Sequence, residues 1–390
     1  MTTFINIHAL ISHPSSMMNR DDSGLQKTAV FGGTTRSRIS SQCLKRAIRQ
    51  SDLYKENVEE VSVRTRLVDE LIEKLATKIS DFYPEDIKSV VEALSMNPKT
   101  EGLESNIKTE EIEVDEINED GTKVKVKTGE VKRVFKTVQP FSTGEIRELM
   151  LVAKNSFPEV FNEILAGLPE KPKKSDKTKF KKSLVAFHEL INSVIPVLDV
   201  ALSGRMDTSC YNRNTEASMS VAHSLTTHSA DIEVDWFTAC DDLAEQGSGH
   251  IGTNEFSSGV FYRYASIDID LLANSINKSI SETTGIVLGV VKCFAQVTPS
   301  AKQKTFAAYN FAEFVMAEKS TQPISLVNAF RNPIPNTGKV MEESIKSLVS
   351  HYEKLVDGYE LQSQAKAFDL TQTAVSDKIT FVNKVSELTF

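Results

Sequence analysis

The sequence predicts a mixed α+β chain, and three observations predict it: an opening run of β-branched and apolar residues, stretches with apolar residues three and four apart, and a Gly/Ser-rich tip between two apolar β-like runs. The opening run, "FINIHALIS", ends before Pro14 and reads as a largely buried strand over residues 3–12. Asp21-Asp22-Ser23-Gly24 and Gly32-Gly33 then punctuate a long basic loop, read as irregular, up to Ser40.

Ser40 or Ser41 can cap the helix that follows, because a serine oxygen satisfies amides left free in the first turn. At about 100° per residue, Gln42, Lys45, Arg46 and Arg49 fall on one side and Cys43, Leu44, Ala47 and Ile48 on the other. Helical text continues over 51–100, as in "VDELIEKLATKISDFY". Between about 101 and 140 the pattern changes. "KVKVKTGEVKRVF" alternates lysine and valine around Thr128-Gly129 and reads as an exposed hairpin within an insertion.

"FHELINSVIPVLDVALSG" is helical and then strand-like toward Ser203, and residues 216–230 read as a helix. "VDWFTA" and "GVFYRYASIDI" flank "AEQGSGHIGTNEFSSG", which predicts a long hairpin with Ile251 near its tip. Ser281 to Gln296 reads as a helix, "KQKTFAAYNFAEFVMAEK" as one or two strands, and 339–357 as a further helix. No repeat of 20–50 residues is present.

The 390 residues carry a net charge of -8, against a blanket affinity for nucleic acid. The charge is unevenly placed. Residues 101–120 hold nine acids and one lysine, a block of -8 that equals the excess of the whole chain. Basic residues cluster at Arg20 to Arg49, Lys123 to Lys136 and Lys171 to Lys182. The face Gln42, Lys45, Arg46 and Arg49, beside a loop that adds Arg20, Lys27, Arg36 and Arg38, can neutralise successive phosphates; a solvated basic helix face is the weaker alternative. The seven lysines of Lys171 to Lys182 divide between binding site and solvated surface. Met206 and Ile251 can act as apolar wedges between bases; simple packing is the plainer reading of each.

Catalytic signals are sparse. Asp21/Asp22 or Asp241/Asp242 can in principle hold a divalent metal in a nuclease, but each pair lies beside turn residues and reads more simply as a turn or cap. His223 and His228 are five apart, which misses the spacing of two ligands on one helical face, and each reads as packed or hydrogen-bonded. No phosphate-cradling loop or nucleophile elbow is found. Cys43, Cys210, Cys240 and Cys293 form no C-x-x-C pair. The sequence has no apolar run long enough to span a membrane and no leader-like start, so a cytoplasmic protein without cofactor is expected. Self-assembly without nucleic acid is a further possibility.

The strings "FINIHALISHPSSMMNRDDSGLQKTAVFGG", "RISSQCLKRAIR", "ALSGRM", "VDWFTACDDLAEQGSGHIGTNEFSSGVFYRYA" and "AKQKTFAAYN" together closely resemble the CasC family, the CRISPR RNA (crRNA)-binding backbone subunits of type I-E CRISPR Cascade complexes. The resemblance covers the first fifty residues and most of 196–330. It implies an α+β fold with a ferredoxin-like, RNA-recognition-motif palm, an inserted mainly helical finger region and a projecting thumb hairpin. The corresponding divisions are 1–50, 196–235 and 263–390 for the palm and C-terminal helical region, 51–195 for the finger region, and 236–262 for the thumb. It also implies a non-enzymatic role, with several copies stacked along one crRNA and each thumb displacing a guide base so that the rest can pair with target DNA. The implied guide contacts are Arg20, Lys27, Ser40, Gln42, Lys45, Arg46, Arg49, Arg205, Met206, Thr238, Ile251, Lys302 and Lys304. Lys173, Lys174, Lys177 and Lys179 are the implied target-DNA contacts. Implied partners are crRNA, target DNA, further copies of the chain, and the large, small, 5′-handle-binding and crRNA-processing subunits.

Overall fold

The computed structural model describes residues 2–98, 100, 103–117, 123–206, 214–240 and 248–390. It is a mixed α+β structure with a large sheet and twelve α-helices among the described residues, and it divides into two compact units. The first comprises Met1–Glu59, Ser218–Asn274 and Lys278–Phe390; the second comprises Glu60–Ala217 and Ser275–Asn277.

In the first unit a ten-stranded sheet is built about Phe4–Ser16. This strand pairs antiparallel with Ser248–Asp268 on one side and Phe314–Ser320 on the other, so that Ile7 lies between Ala265 and Ala317. "FINIHALIS" is a near-continuous buried run, lacking polar alternation, because helices cover both faces of the strand. On one face Leu10, Tyr262, Phe314 and Met316 pack with Ile345, Leu348 and Tyr352 of the helix Val340–Gly358. His8, also on this face, shares a 2.8 Å hydrogen bond with the Tyr262 hydroxyl, while Asn6 donates to Glu318 at 3.1 Å. Buried polar groups are tolerated there because they find partners.

On the other face, toward the helix Ile280–Gln296, buried Arg263 donates to the carbonyls of Phe294 (3.1 Å) and Val297 (2.7 Å). Its charge lies beside His13, whose pKa falls to about 3 through burial first and Arg263 second. The unfolded chain protonates His13 near pH 6.5 and the folded chain only near 3, so between these values the unfolded state binds more protons. Urea-unfolding stability is therefore expected to fall as pH is lowered from about 6.5 toward 3, by up to about 1.4 kcal/mol per unit from this group. His13→Gln should flatten the slope; an unchanged slope would refute the assignment.

Several local expectations give way to tertiary pairing. The loop before Ser40 contains a hairpin, Thr28–Phe31 with Thr34–Ile39. Gly32 and Gly33 make its turn at φ +62° and +79°, and a Cβ on Gly32 would collide with the Arg331 carbonyl oxygen. Residues 216–230 form not a helix but the short strands Met219–Val221 and Ser224–Thr226, recruited by the long strand Ser248–Asp268. The stretch toward Ser203 is the helix Leu198–Ser203, ended by Gly204 at φ +77°. Of the strands expected after Lys302, one is present, Phe314–Ser320, preceded by a short helix Gln303–Phe306. Beyond the helix Val340–Gly358, Gln364–Asp369 and Ile379–Val382 add two more strands.

In the second unit helices including Val68–Ala76, Pro84–Ser95, Thr143–Ser156 and Lys174–Leu190 enclose an apolar core that contains Leu71, Val90, Leu149, Phe161 and Phe187. A three-stranded sheet runs in the order Val63–Leu67, Lys123–Phe141, Ile107–Ile117. Thr128-Gly129 is thus not a hairpin turn. It is a bulge within the long strand, where Gly129 takes φ +77° and the Thr128 hydroxyl donates to the Ile112 carbonyl at 3.0 Å. The Lys/Val strand and the acidic block explain one another, because they are partners. Lys127 meets Glu111 at 2.6 Å and Lys125 meets Glu113 at 3.7 Å, while Glu110 takes Arg66 and Lys108 at 2.8 Å each. Each exposed pair contributes little, but together they relieve repulsion that either strand would suffer alone.

Candidate nucleic-acid interface

The helix Ser41–Gln50 turns Leu44 and Ile48 inward and leaves Gln42 and Arg46 exposed, with Lys45 and Arg49 half-buried at the margin. Ser40 caps it, its hydroxyl accepting from the Cys43 amide at 3.3 Å. The same cap residue donates its backbone N–H to Asn19 Oδ1 at 2.9 Å, and the Lys27 amide donates to the Asn19 carbonyl at 2.9 Å. One asparagine thus ties the loop bearing Arg20 and Lys27 to the start of the cationic helix.

Within this frame Arg20 is exposed and Lys27 half-buried. Lys45 is partly committed inward, its ammonium donating to the Met219 carbonyl at 3.4 Å. The Ser40 hydroxyl is buried by its capping role, so it orders the helix start. Lys304 is exposed on the short helix Gln303–Phe306, and Lys302 donates its ammonium to Asn254. A cavity of about 490 Å³ lined by Asn19, Arg20, Asp21, Asp22, Gly24 and Ala301 joins the two loops. The structure therefore brings Arg20, and the loop that carries Lys27, close to the segment carrying Lys302 and Lys304, which is far away in the sequence.

His223, read from sequence only as packed or hydrogen-bonded, stands at the helix start and accepts the Ser41 N–H on Nδ1 at 2.9 Å. Its pKa is lowered by partial burial and then by the nearby charges of Arg38 and Lys27. Arg36 belongs elsewhere: fully buried, it donates to the carbonyls of Thr226 and Phe330 at 2.9 Å.

The strand Glu233–Cys240 pairs with the start of Ser248–Asp268 to make a ribbon in which Thr238 lies opposite Ile251 and Trp236 opposite Thr253. The side chain of Ile251 lies outside the described residues, as do Asp241 and Asp242. Thr238 is exposed, and Trp236, two residues before it on the same face, is 73% exposed. Sequence reasoning passed over Trp236, although a lone tryptophan in a strand flanking a polar tip was an available signal.

In the second unit Met206 is 81% exposed, whereas Arg205 is only 2% exposed and forms a buried ion pair with Glu145. The guide contact expected of Arg205 therefore concerns a side chain that is buried and paired with Glu145, unlike its exposed neighbour Met206. Lys173, Lys174 and Lys177 are exposed at the start of the helix Lys174–Leu190; Lys179 is engaged by Glu163. Asp21 spends its carboxylate on a turn, accepting the Ser23 and Leu25 amides at 2.9 Å each. Among the described residues no group of three His, Cys, Asp or Glu side chains could share a metal ion, and no helix is long and apolar enough to cross a membrane.

Fold and site together define a two-unit α+β protein whose first unit carries exposed cations on one capped helix and two neighbouring loops, beside a two-stranded ribbon. The sequence profile of the CT1975-like protein family matches residues 5–388, and the chain belongs to that family. Among solved structures it is similar to a chain of a "CRISPR RNA-guided surveillance complex, pre-nicking", with 26% identity and a TM-score of 0.75 over 99% of this chain and 97% of that one. It also shares its fold with a chain of a "CRISPR RNA-guided surveillance complex", with 19% identity and a TM-score of 0.58 over 99% and 96%. A comparison with curated proteins gave no match.

Proposed function

We propose that the chain is a non-catalytic, crRNA-binding backbone subunit of a CRISPR surveillance complex of the CasC type, acting in antiviral defence. The observation that carries this reading is the assembly of Arg20, Lys27, Gln42, Arg46 and Lys304 on adjoining surfaces of one unit, at the root of a ribbon that bears Trp236 and Thr238. The similarity to chains of RNA-guided complexes supports it. Phosphate contacts carry no base information, so such a surface accepts any guide and leaves sequence reading to base pairing.

In this reading the sheet of the first unit is the RNA-recognition-motif-like palm, the second unit the fingers, and the ribbon the thumb that displaces guide bases at intervals. Copies polymerise along the crRNA in the cytoplasm with the other Cascade-type subunits. Lys173, Lys174 and Lys177 face target DNA, for they have charge to offer, while Lys179 is drawn to Glu163. The 260/280 nm absorbance ratio and sizing profile of the protein made with its natural RNA test the proposal. A large, nucleic-acid-rich species that shrinks on RNase treatment is expected. A protein-only monomer, or an oligomer indifferent to RNase, would overturn it.

A further inference from the structure

We propose that Asn254–Ser257, at the root of the projecting ribbon, are a positioning clasp that fixes the ribbon relative to the two cationic loops; this rests on the RNA-binding reading above. Successive strand residues point to opposite faces, and here each face grips a different loop. On one face Asn254 accepts from the Lys302 ammonium, and the Phe256 ring packs 6.0 Å from the ring of Phe306, so both hold the segment that carries Lys302 and Lys304. On the other, Glu255 Oε2 accepts the Gln26 N–H at 2.9 Å, one residue before Lys27, and buried Ser257 shares a 2.9 Å hydrogen bond with Ser37.

The choice of a carboxylate is informative. By charge alone Glu255 works against an anion at this surface, so its contribution is the backbone it holds. Ile251 is six residues beyond Ser257, a reach of about 20 Å along an extended strand. A tilt of about 10° at the root therefore moves Ile251 by about 3.5 Å, comparable to the roughly 3.4 Å spacing of successive nucleotides. A loose root would let Ile251 reach the wrong base without weakening any phosphate contact.

Chemical probing of bases on a guide-length RNA bound by the full chain tests the clasp, with binding to a short RNA as the parallel measurement. The wild type and Glu255→Gln, whose amide oxygen still accepts the Gln26 N–H, are expected to give the same regular spacing of reactive bases. Glu255→Ala and Asn254→Ala should lose that regularity while short-RNA affinity stays within about twofold and the salt slope is unchanged. A regular pattern that survives in both alanine variants overturns the clasp. So does loss of short-RNA binding in either, which would make these residues part of the phosphate site or of the fold. Absence of any regular pattern in the wild type would instead defeat the guide-RNA reading, and the clasp would fall with it.

Discussion

Arg20→Ala combined with Arg46→Ala is expected to weaken RNA binding on the order of a hundredfold at moderate salt, and to reduce the slope of log K against log salt by about 1.4, since each lost single-strand phosphate contact removes about 0.7. Both side chains are exposed, so their removal should leave the folded state intact. Lys45 is a poorer probe, because it also donates to the Met219 carbonyl and its loss disturbs a packed contact. Filter binding or fluorescence anisotropy across a salt series reads the effect, with circular dichroism as the control for folding. Unchanged affinity and slope would place the phosphate surface elsewhere.

Glu145→Ala should be among the most damaging single substitutions in the second unit. Glu145 and Arg205 both have side chains fully withdrawn from solvent, and Glu145 also accepts the Val197 N–H at 3.2 Å. Removing the carboxylate takes this counter-charge from a buried guanidinium, a loss of about 3–5 kcal/mol. Replacing both partners, as in Glu145→Leu with Arg205→Met, should recover most of it, because the cost lies in keeping the buried cation after its carboxylate has gone. Urea unfolding of the three proteins decides the matter. A loss under about 1 kcal/mol for Glu145→Ala, or no recovery in the double variant, would show that the pair is not what holds this region.

The segments legible from sequence are those whose determinants are local. The strand at the N-terminus, the capped helix after Ser40 and the helices Ile280–Gln296 and Val340–Gly358 each carry their own signature of cap, face or period. Other segments were misread because their partner is distant. Met219–Val221 and Ser224–Thr226 are strands because Ser248–Asp268 offers them hydrogen bonds, and nothing within their own few residues says so. Arg205 lies beside Met206 in the chain, yet one is buried and the other exposed.

The same division runs through the candidate site. Sequence alone determined that positive charge would collect on one helical face, that Ser40 or Ser41 would cap its start, that a long hairpin would carry Ile251, and which family of RNA-binding subunits the chain resembles. Tertiary structure alone decided which cations are exposed and which are spent inside, that the acidic block would be answered by the Lys/Val strand, and that Trp236 would stand out from the ribbon. It also joined Gln26 to Glu255, 229 residues apart. The physical reason is range: capping and periodicity act over three or four neighbours and are written in order along the chain, whereas charge pairing, burial and desolvation depend on what folding brings alongside.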